Sequence, residues 1–242
     1  MVVRYIGHGT VLVELDGVRL LTDPLLRRKV AHLRRAVALD REPPAVDAVL
    51  LSHGHYDHLD LPSLQLLGRG TRIVAPRFLA SRLDGFQVVP VDEGDEVLVG
   101  AVTVRATHAE HDGGRPPFGA GPALGYAILG TKRVFFAGDT DLFDAMEGLV
   151  SELDVGLLPI WGWGATLGRG KHMDPERAAE AVRRLAPRIA VPIHWGTYRP
   201  LHRRATAPFL TAPAEAFARA AAAVAPDVDV RVLKPGEELL VP

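Results

Sequence analysis

The sequence contains no cysteine among its 242 residues. Disulfide bonds, thiolate metal sites, iron–sulfur clusters and cysteine nucleophiles are therefore excluded. The formal net charge is only −1, which gives no electrostatic basis for binding nucleic acid or an anionic membrane. No apolar run approaches the ~20 residues that span a bilayer, and residues 1–10 predict a strand rather than a signal peptide. We expect a cytoplasmic protein without an integral membrane segment and without a nucleic-acid partner, whose oligomeric state the sequence leaves open.

The hydrophobic content of 48% is enough for a sizeable core. In the first half, short β-type runs separated by turn residues lead to the apolar strand 47–53 and to a helix over residues 62–68. The second half repeats this order, with a strand at 133–139 and a helix at 175–186. The pattern predicts an α/β fold in one domain over residues 1–242. Its architecture would be a four-layer αββα sandwich of two similar halves, with the helices outside.

Three histidines and one aspartate follow the apolar strand within six residues: His53, His55, Asp57 and His58. His53 and His55 are two residues apart at a strand end, so their side chains face the same side. Neutral imidazoles and carboxylates are suitable ligands for zinc, manganese or iron. Four such donors in one tight loop favour two metal ions over one. A polar surface turn is the alternative interpretation of this stretch.

Further donors stand at the ends of distant predicted strands. His111, Asp139 and His194 each come at or just after the end of an apolar run. Strand ends are where a rigid sheet presents polar side chains to a common site, so we expect these residues to join the histidine motif. His108 lies three residues before His111 and competes for the same role.

Several of these stretches together resemble the metallo-β-lactamase fold superfamily. The resemblance covers residues 3–200 and points to the branch that contains the N-acyl-phosphatidylethanolamine-hydrolysing phospholipase D and the ascorbate-6-phosphate lactonase. The first histidine motif is similar to that of the superfamily, whereas HMDP and IHWGT indicate the branch. The stretches are GHGTVLVELDGVRLLTDP (7–24), LSHGHYDHLD (51–60), AEHDGGR (109–115), FFAGDTDLF (135–143), HMDPERAAEA (172–181) and PIHWGTY (192–198).

The resemblance implies a binuclear site with two divalent metal ions, zinc first and manganese or iron as alternatives. The family's third histidine motif is similar to THAEH (107–111), which favours His111 over His108 as the ligand. The implied first metal is held by His53, His55 and His111, the second by Asp57, His58 and His194, and Asp139 bridges them.

The resemblance also implies a metal-dependent hydrolase. Two cations about 3.5–4 Å apart would generate a bridging hydroxide that attacks a carbonyl carbon or a phosphorus. We expect a small-molecule substrate, a phosphodiester, lactone or related ester, with an anionic or lipid-like character as one option. The residues expected to serve catalysis are Asp57, His172 as a substrate-side acid, and Asp23 as a residue that orients a ligand histidine. Alternatives remain open for three residues. His172 could be a helix-entry residue and Asp23 a simple turn residue, and His8 could have either a turn role or an orienting role.

Other interpretations remain for the whole protein and for three of its segments. A metal-binding sensor or interaction module without hydrolase activity is the main alternative, and a flavodiiron-type oxidoreductase is another. The basic residues 25–37 are predicted as a solvated helix face, with a lid or an anion-steering patch as the alternative. The glycine-rich residues 161–171 are predicted as a mobile substrate wall, and the alanine-rich residues 213–224 as a helix.

Overall fold

The computed structural model describes residues 1–38, 42–114, 117, 119–161, 171–202 and 207–242. Its helices are α1 (Leu61–Leu67), α2 (Pro175–Leu185) and α3 (Ala207–Val224), and short 3₁₀ turns cover Arg77–Arg82 and Asp144–Met146. Its strands are β1 (Val2–Gly7), β2 (Thr10–Leu15), β3 (Val18–Thr22), β4 (Lys29–Val30), β5 (Leu33–Arg35), β6 (Ala48–Leu50), β7 (Arg72–Pro76), β8 (Gln87–Val91), β9 (Glu96–Val99), β10 (Val102–Asp112), β11 (Pro122–Leu129), β12 (Arg133–Phe136), β13 (Val155–Pro159), β14 (Ile189–Ile193), β15 (Tyr198–Pro200), β16 (Asp229–Val230) and β17 (Glu238–Leu240).

Two seven-stranded mixed sheets form the body of the described structure. The first has the strand order β17-β1-β2-β3-β6-β7-β8, antiparallel as far as β3 and parallel from β3 onwards. The second has the order β16-β14-β13-β12-β11-β10-β9, antiparallel from β9 to β12 and parallel beyond. Each half therefore begins with antiparallel strands and continues with parallel ones, as the sequence predicts.

The two sheets pack face to face, and the helices lie on their outer faces. Tyr126 of β11 donates a hydrogen bond from its hydroxyl to the carbonyl of Leu51 at 2.7 Å, which ties the second sheet to the first. Leu64 of α1 belongs to the outer core of the first sheet, while Val182 of α2 and Phe217 of α3 pack on the second. This arrangement confirms the predicted four-layer sandwich.

Strand β6 shows why the predicted apolar run 47–53 has no polar face. Ala48 and Leu50 belong to the core between the sheets, whereas Val49 belongs to the core under α1. A strand that is buried on both faces needs apolar residues at every position. The buried strand ends immediately before the histidine motif, so its packing fixes the start of the site.

Aspartate side chains cap the first two helices at their N-termini. The Asp60 carboxylate accepts a hydrogen bond from the backbone N–H of Ser63 at 3.1 Å, and the Asp174 carboxylate accepts one from Arg177 at 2.9 Å. Helix α3 begins at Ala207 rather than at residue 213. Pro213 lies inside it, where its nitrogen donates no hydrogen bond, so this proline does not mark the first helical position.

The helix predicted for the basic residues 25–37 is wrong. Strands β4 and β5 form a hairpin there, and β15 adds a third strand to it. The apolar side chains of Leu25, Val30 and Leu33 form a small core with Tyr198. Pairing with β15, which is more than 150 residues away along the chain, therefore overrides the local helical preference.

Within the described part of the chain, no helix combines the length and the apolar character that a membrane crossing requires.

Candidate metal centre

Histidine and carboxylate side chains from both halves of the sandwich meet at one edge of the two sheets. The turns and loops after β1, β3, β6, β12 and β14, the end of β10 and the start of α2 all contribute. The gathered residues are His8, Asp23, His53, His55, Asp57, His58, His111, Asp139, His172 and His194.

Three histidines form the first donor group. His53, His55 and His111 each present a ring nitrogen, and these atoms lie within 4.8 Å of one another. Nε2 of His111 lies 3.2 Å from Nδ1 of His55. His53 and His55 are buried, whereas His111 at the end of β10 is partly exposed. The group therefore has two enclosed donors and one at its rim.

Asp57, His58 and His194 form a second donor group together with His8. Nε2 of His194 lies 3.8 Å from Oδ2 of Asp57, and Nε2 of His8 lies 3.3 Å from the same oxygen. His8 and His194 have the positive φ values 58° and 62°, which non-glycine residues rarely adopt. The N–H of His194 donates to the carbonyl of His8 at 2.9 Å, so the two strained turns support each other.

Asp139 lies between the two donor groups. Its Oδ2 is 3.2 Å from Nε2 of His58 and 3.9 Å from Nε2 of His53. Its Oδ1 is 3.4 Å from Nε2 of His194. Nδ1 of His172 approaches Oδ2 at 3.3 Å from the partly exposed side. One carboxylate therefore contacts histidines of both groups.

Hydrogen bonds outside the cluster fix how two histidines face it. His111 donates from Nδ1 to the carbonyl of Lys171 at 2.7 Å, and His194 donates from Nδ1 to the carbonyl of Trp161 at 2.6 Å. A carbonyl oxygen can only accept, so the proton of each ring lies on Nδ1. The lone pair on Nε2 is then directed into the cluster.

Asp23 fixes two more histidines in the same way. His58 donates from Nδ1 to Oδ2 of Asp23 at 2.7 Å, and the Ser52 hydroxyl donates to the same oxygen at 2.5 Å. Because the single hydroxyl proton of Ser52 is used there, Nδ1 of His53 must be the donor in its 2.8 Å contact with Ser52 Oγ. Nε2 of both rings therefore faces the cluster.

The donor set fits divalent metal ions. Nε2 of His53, Nε2 of His58 and Oδ1 of Asp139 are buried, and none of the three makes a hydrogen bond with a described residue. Buried polar atoms without partners are rare, because each loses its hydration without compensation. Cations held between these atoms would supply the missing interactions, and imidazole with carboxylate is a donor set for zinc, manganese or iron.

The ionisation of the cluster agrees with this donor set. Burial lowers the pKa of His55 and of His172 to about 4, and it holds the pKa of His53 well below its ordinary value. Burial opposes ionisation of Asp57 and Asp139, but the surrounding imidazoles outweigh it and hold both pKa values well below the usual range. At neutral pH these histidines are neutral and these aspartates are ionised, which is the form in which both bind cations.

His58 and His8 differ in the direction of their pKa shifts. Burial disfavours the charged form of His58, but Asp139 and Asp23 together outweigh burial and raise its pKa well above the ordinary value. Burial, with His194 beside it, lowers the pKa of His8 to about 3. The position of His58, at the centre of the cluster, therefore favours a positive charge. The position of His8, at its flank, disfavours one.

The structure also separates residues that the sequence left open. His108 lies outside the cluster, partly exposed, where its ring contacts Glu93 and Glu110 at 3.1 and 3.4 Å. Asp23 is fully buried, and its carboxylate contacts Ser52 and His58. His8, which was open between two roles, lies in the second donor group.

Sequence reasoning missed Ser52, which the structure places between Asp23 and His53. The available signal was a hydroxyl side chain at the end of an apolar strand, directly before His53. The loop predicted as a substrate wall, 161–171, has only its two end residues, Trp161 and Lys171, among the described residues. Their carbonyl oxygens accept hydrogen bonds from His194 and His111 of the cluster.

Comparison with known proteins agrees with the fold and the cluster. A family model for the beta-lactamase superfamily domain matches residues 18–195. A UPF0173 metal-dependent hydrolase of Methanopyrus kandleri is 32% identical over 98% of this chain and 98% of its own length. A UPF0173 metal-dependent hydrolase of Pyrococcus abyssi is 33% identical with the same coverage. The structure of Igni18, a metallo hydrolase from Ignicoccus hospitalis, is 26% identical, has a TM-score of 0.74, and matches 98% of this chain and 97% of that one.

Layered mixed sheets that bring imidazole and carboxylate donors to one buried cluster define a class of metal-dependent hydrolases. This chain belongs to the beta-lactamase superfamily, among its metallo-hydrolases with the metallo-β-lactamase fold. The narrower resemblance to the phospholipase D and lactonase branch stays a prediction.

Proposed function

We propose that this protein is a binuclear metallo-hydrolase acting on a phosphodiester, lactone or related ester of a small molecule. The first divalent metal would be held by His53, His55 and His111. The second would be held by Asp57, His58 and His194, with Asp139 shared between the two. Zinc is the first choice for both positions, with manganese and iron as alternatives.

The observation that carries the proposal is the uniform orientation of four histidines. His53, His58, His111 and His194 each engage an outer acceptor through Nδ1, which turns Nε2 towards the cluster. A histidine that only packs in a core needs a hydrogen bond to one ring nitrogen, and its other nitrogen need not point to the same place as those of other histidines. Four rings from three distant parts of the chain, whose Nε2 atoms all point to one cluster, are expected where cations are bound.

Two bound cations would supply Lewis acidity, polarising a carbonyl or phosphoryl oxygen and making a nearby water more acidic. The chain itself supplies the positioning of the donors and a buried edge that limits the access of bulk water. Asp23 and Ser52 would hold His58 and His53 in place without contacting substrate.

We assign the proton transfer to His172. Its side chain retains 15% exposure, beside the fully buried Asp139, so a bound ester can reach it. Nδ1 is turned towards Asp139, so Nε2 of the neutral ring would first take a proton from the attacking water and then pass it to the leaving group. Asp57 has a double role in this proposal, as a ligand and as the partner of His8.

The test is metal content followed by turnover. Protein purified without a histidine tag is analysed by plasma mass spectrometry and then assayed on a panel of phosphodiesters and lactones. About two equivalents of metal per chain, together with ester cleavage that a chelator abolishes and metal restores, is the expected result. A protein that takes up less than one equivalent after metal is added back, or that binds two and cleaves no member of the panel, would contradict the proposal.

A further inference from the structure

A cavity of about 630 Å³ lies beside the β4–β5 hairpin and is lined by none of the metal-centre residues. Its size is within the range of small-molecule binding sites. Four of its lining residues are cationic, Arg28, Lys29, Arg34 and Arg35, and the others have apolar side chains. No carboxylate of the described residues lines it. We propose that this cavity binds the phosphoryl group of a small molecule.

The register of the three-stranded sheet concentrates positive charge. Lys29 and Arg34 are directly opposite in the β4–β5 pair, and Arg199 of β15 is opposite Arg34 on the other side. Like charges at opposed positions destabilise an antiparallel pair. Among the described carboxylates none forms an ion pair with Arg28, Lys29 or Arg34 in compensation, so the hairpin tolerates a repulsion that a bound anion would remove.

The fourth cation of the cavity, Arg35, is buried. Only 8% of its surface is exposed, and its Nε is a buried atom without a hydrogen-bond partner among the described residues. The guanidinium donates to the backbone carbonyls of Ile6 and Leu25 and lies 5.5 Å from the ring centre of Tyr198. Neutral partners leave the net charge in place, and a buried charge without a counter-ion is costly. An anion bound on the face of Lys29 and Arg34 would supply counter-charge to this buried cation from the other side of the strand.

Phosphoryl groups suit this arrangement better than single carboxylates do. Two of the three exposed cations, Arg28 and Arg34, are arginines, whose planar guanidinium groups pair with two oxygens of a phosphate at once. The hairpin that carries them is held by the small core of Leu25, Val30, Leu33 and Tyr198. The cations are thus attached to a packed element, which lowers the entropy cost of binding.

The test uses the metal-loaded protein and inorganic phosphate, with the dissociation constant measured by ³¹P line-width titration at ~0.15 M salt. The exposed pair is changed in the variant Arg28→Gln/Arg34→Gln. The matched control, Arg82→Gln/Arg219→Gln, removes the same charge from exposed sites elsewhere. We expect the hairpin variant to weaken phosphate binding at least tenfold and the control to change it less than twofold.

If both variants weakened phosphate binding equally, the effect would come from net charge alone, and the proposal would be overturned. Binding that the hairpin variant leaves unchanged would place the phosphate elsewhere, for instance at the metal centre, and would also overturn it. Co-sedimentation with phosphatidic acid vesicles separates the two sources of a phosphoryl group. We expect the protein not to co-sediment with these vesicles. Co-sedimentation that depends on Arg28 and Arg34 would show that the cavity binds a lipid surface and not a free small molecule.

Discussion

The Asp23 carboxylate accepts a hydrogen bond from Nδ1 of His58 at 2.7 Å, and both side chains are almost completely buried. The same oxygen accepts from Ser52, which in turn contacts Nδ1 of His53. His53 and His58 belong to different metal positions in the proposed centre. One carboxylate therefore orients a ligand of each position, and this coupling has a measurable consequence.

The variant Asp23→Asn should weaken the binding of both metals. The amide offers one accepting oxygen where the carboxylate offers two, and it cannot balance the charge of a metal-bound imidazole. Loss of such a partner lowers metal affinity by about 10–100-fold. Chelator competition, read by plasma mass spectrometry at each chelator concentration, measures it.

Ser52→Ala is the matched variant for this prediction, because it removes the link to His53 and leaves the contact between Asp23 and His58. We expect it to release one metal more readily than the other. If Asp23→Asn retained both metals with unchanged affinity, Asp23 would be a turn residue and the orienting role would be wrong.

Asp57→Ala should empty one metal position and abolish turnover while the chain stays folded. Asp57 lies between His8 and His194 in the second donor group, so its removal takes away a ligand from that position alone. Metal content should fall from about two equivalents to about one, measured together with circular dichroism.

Asp60→Ala is the control for Asp57→Ala, since it changes an aspartate in the same loop that caps α1 and pairs with Arg27. Loss of the cap should cost about 1 kcal/mol of unfolding free energy and leave both metals bound. Turnover that survives in Asp57→Ala would be incompatible with the proposed mechanism.

His111→Ala should lower metal content and turnover far more than His108→Ala. Nε2 of His111 lies 3.2 Å from the ring of His55, whereas His108 points to two exposed glutamates. Parallel measurements of metal content and rate on the two variants decide between them. The reverse order of effects would transfer the ligand role to His108.

A pH prediction concerns α2, away from the centre. The guanidinium groups of Arg183 and, with a smaller effect, Arg184 donate hydrogen bonds to the Glu180 carboxylate. They lower its pKa from the ordinary 4.5 to about 2. A lowered carboxyl pKa stabilises the folded state at pH values above 4.5, and this contribution is lost as the pH falls towards 2. Between pH 7 and pH 4 the Glu180 carboxyl should therefore show no titration in ¹³C NMR spectra.

In Arg183→Gln/Arg184→Gln the same carboxyl should begin to titrate within that window. Because Glu180 is at the surface, the stability lost at pH 7 should be under about 1 kcal/mol, which urea unfolding measures. Identical titration curves in the two proteins would show that the arginines do not hold this carboxylate.

The two segments 25–37 and 207–224 show where local sequence patterns failed. Basic and apolar residues at helix-like spacing predicted a helix in the first, but pairing of β5 with β15 made a hairpin of it. In the second, Pro213 predicts a helix start at residue 213, whereas the helix begins at Ala207. Both errors arise because contacts with distant parts of the chain outweigh propensities worth fractions of a kcal/mol per residue.

The sequence by itself determined the layered α/β class, the capped helices and the crowded motif from His53 to His58, because each depends on residue type and short spacing. Tertiary structure alone decided that His8 joins the second donor group, that Ser52 links Asp23 to His53, and that His108 lies outside the cluster. It also decided that Leu201, from a distant segment, lines one cavity together with the four cationic residues between positions 28 and 35. These relationships join residues that are far apart in the chain, and their distances follow from sheet register and packing, which no local pattern encodes.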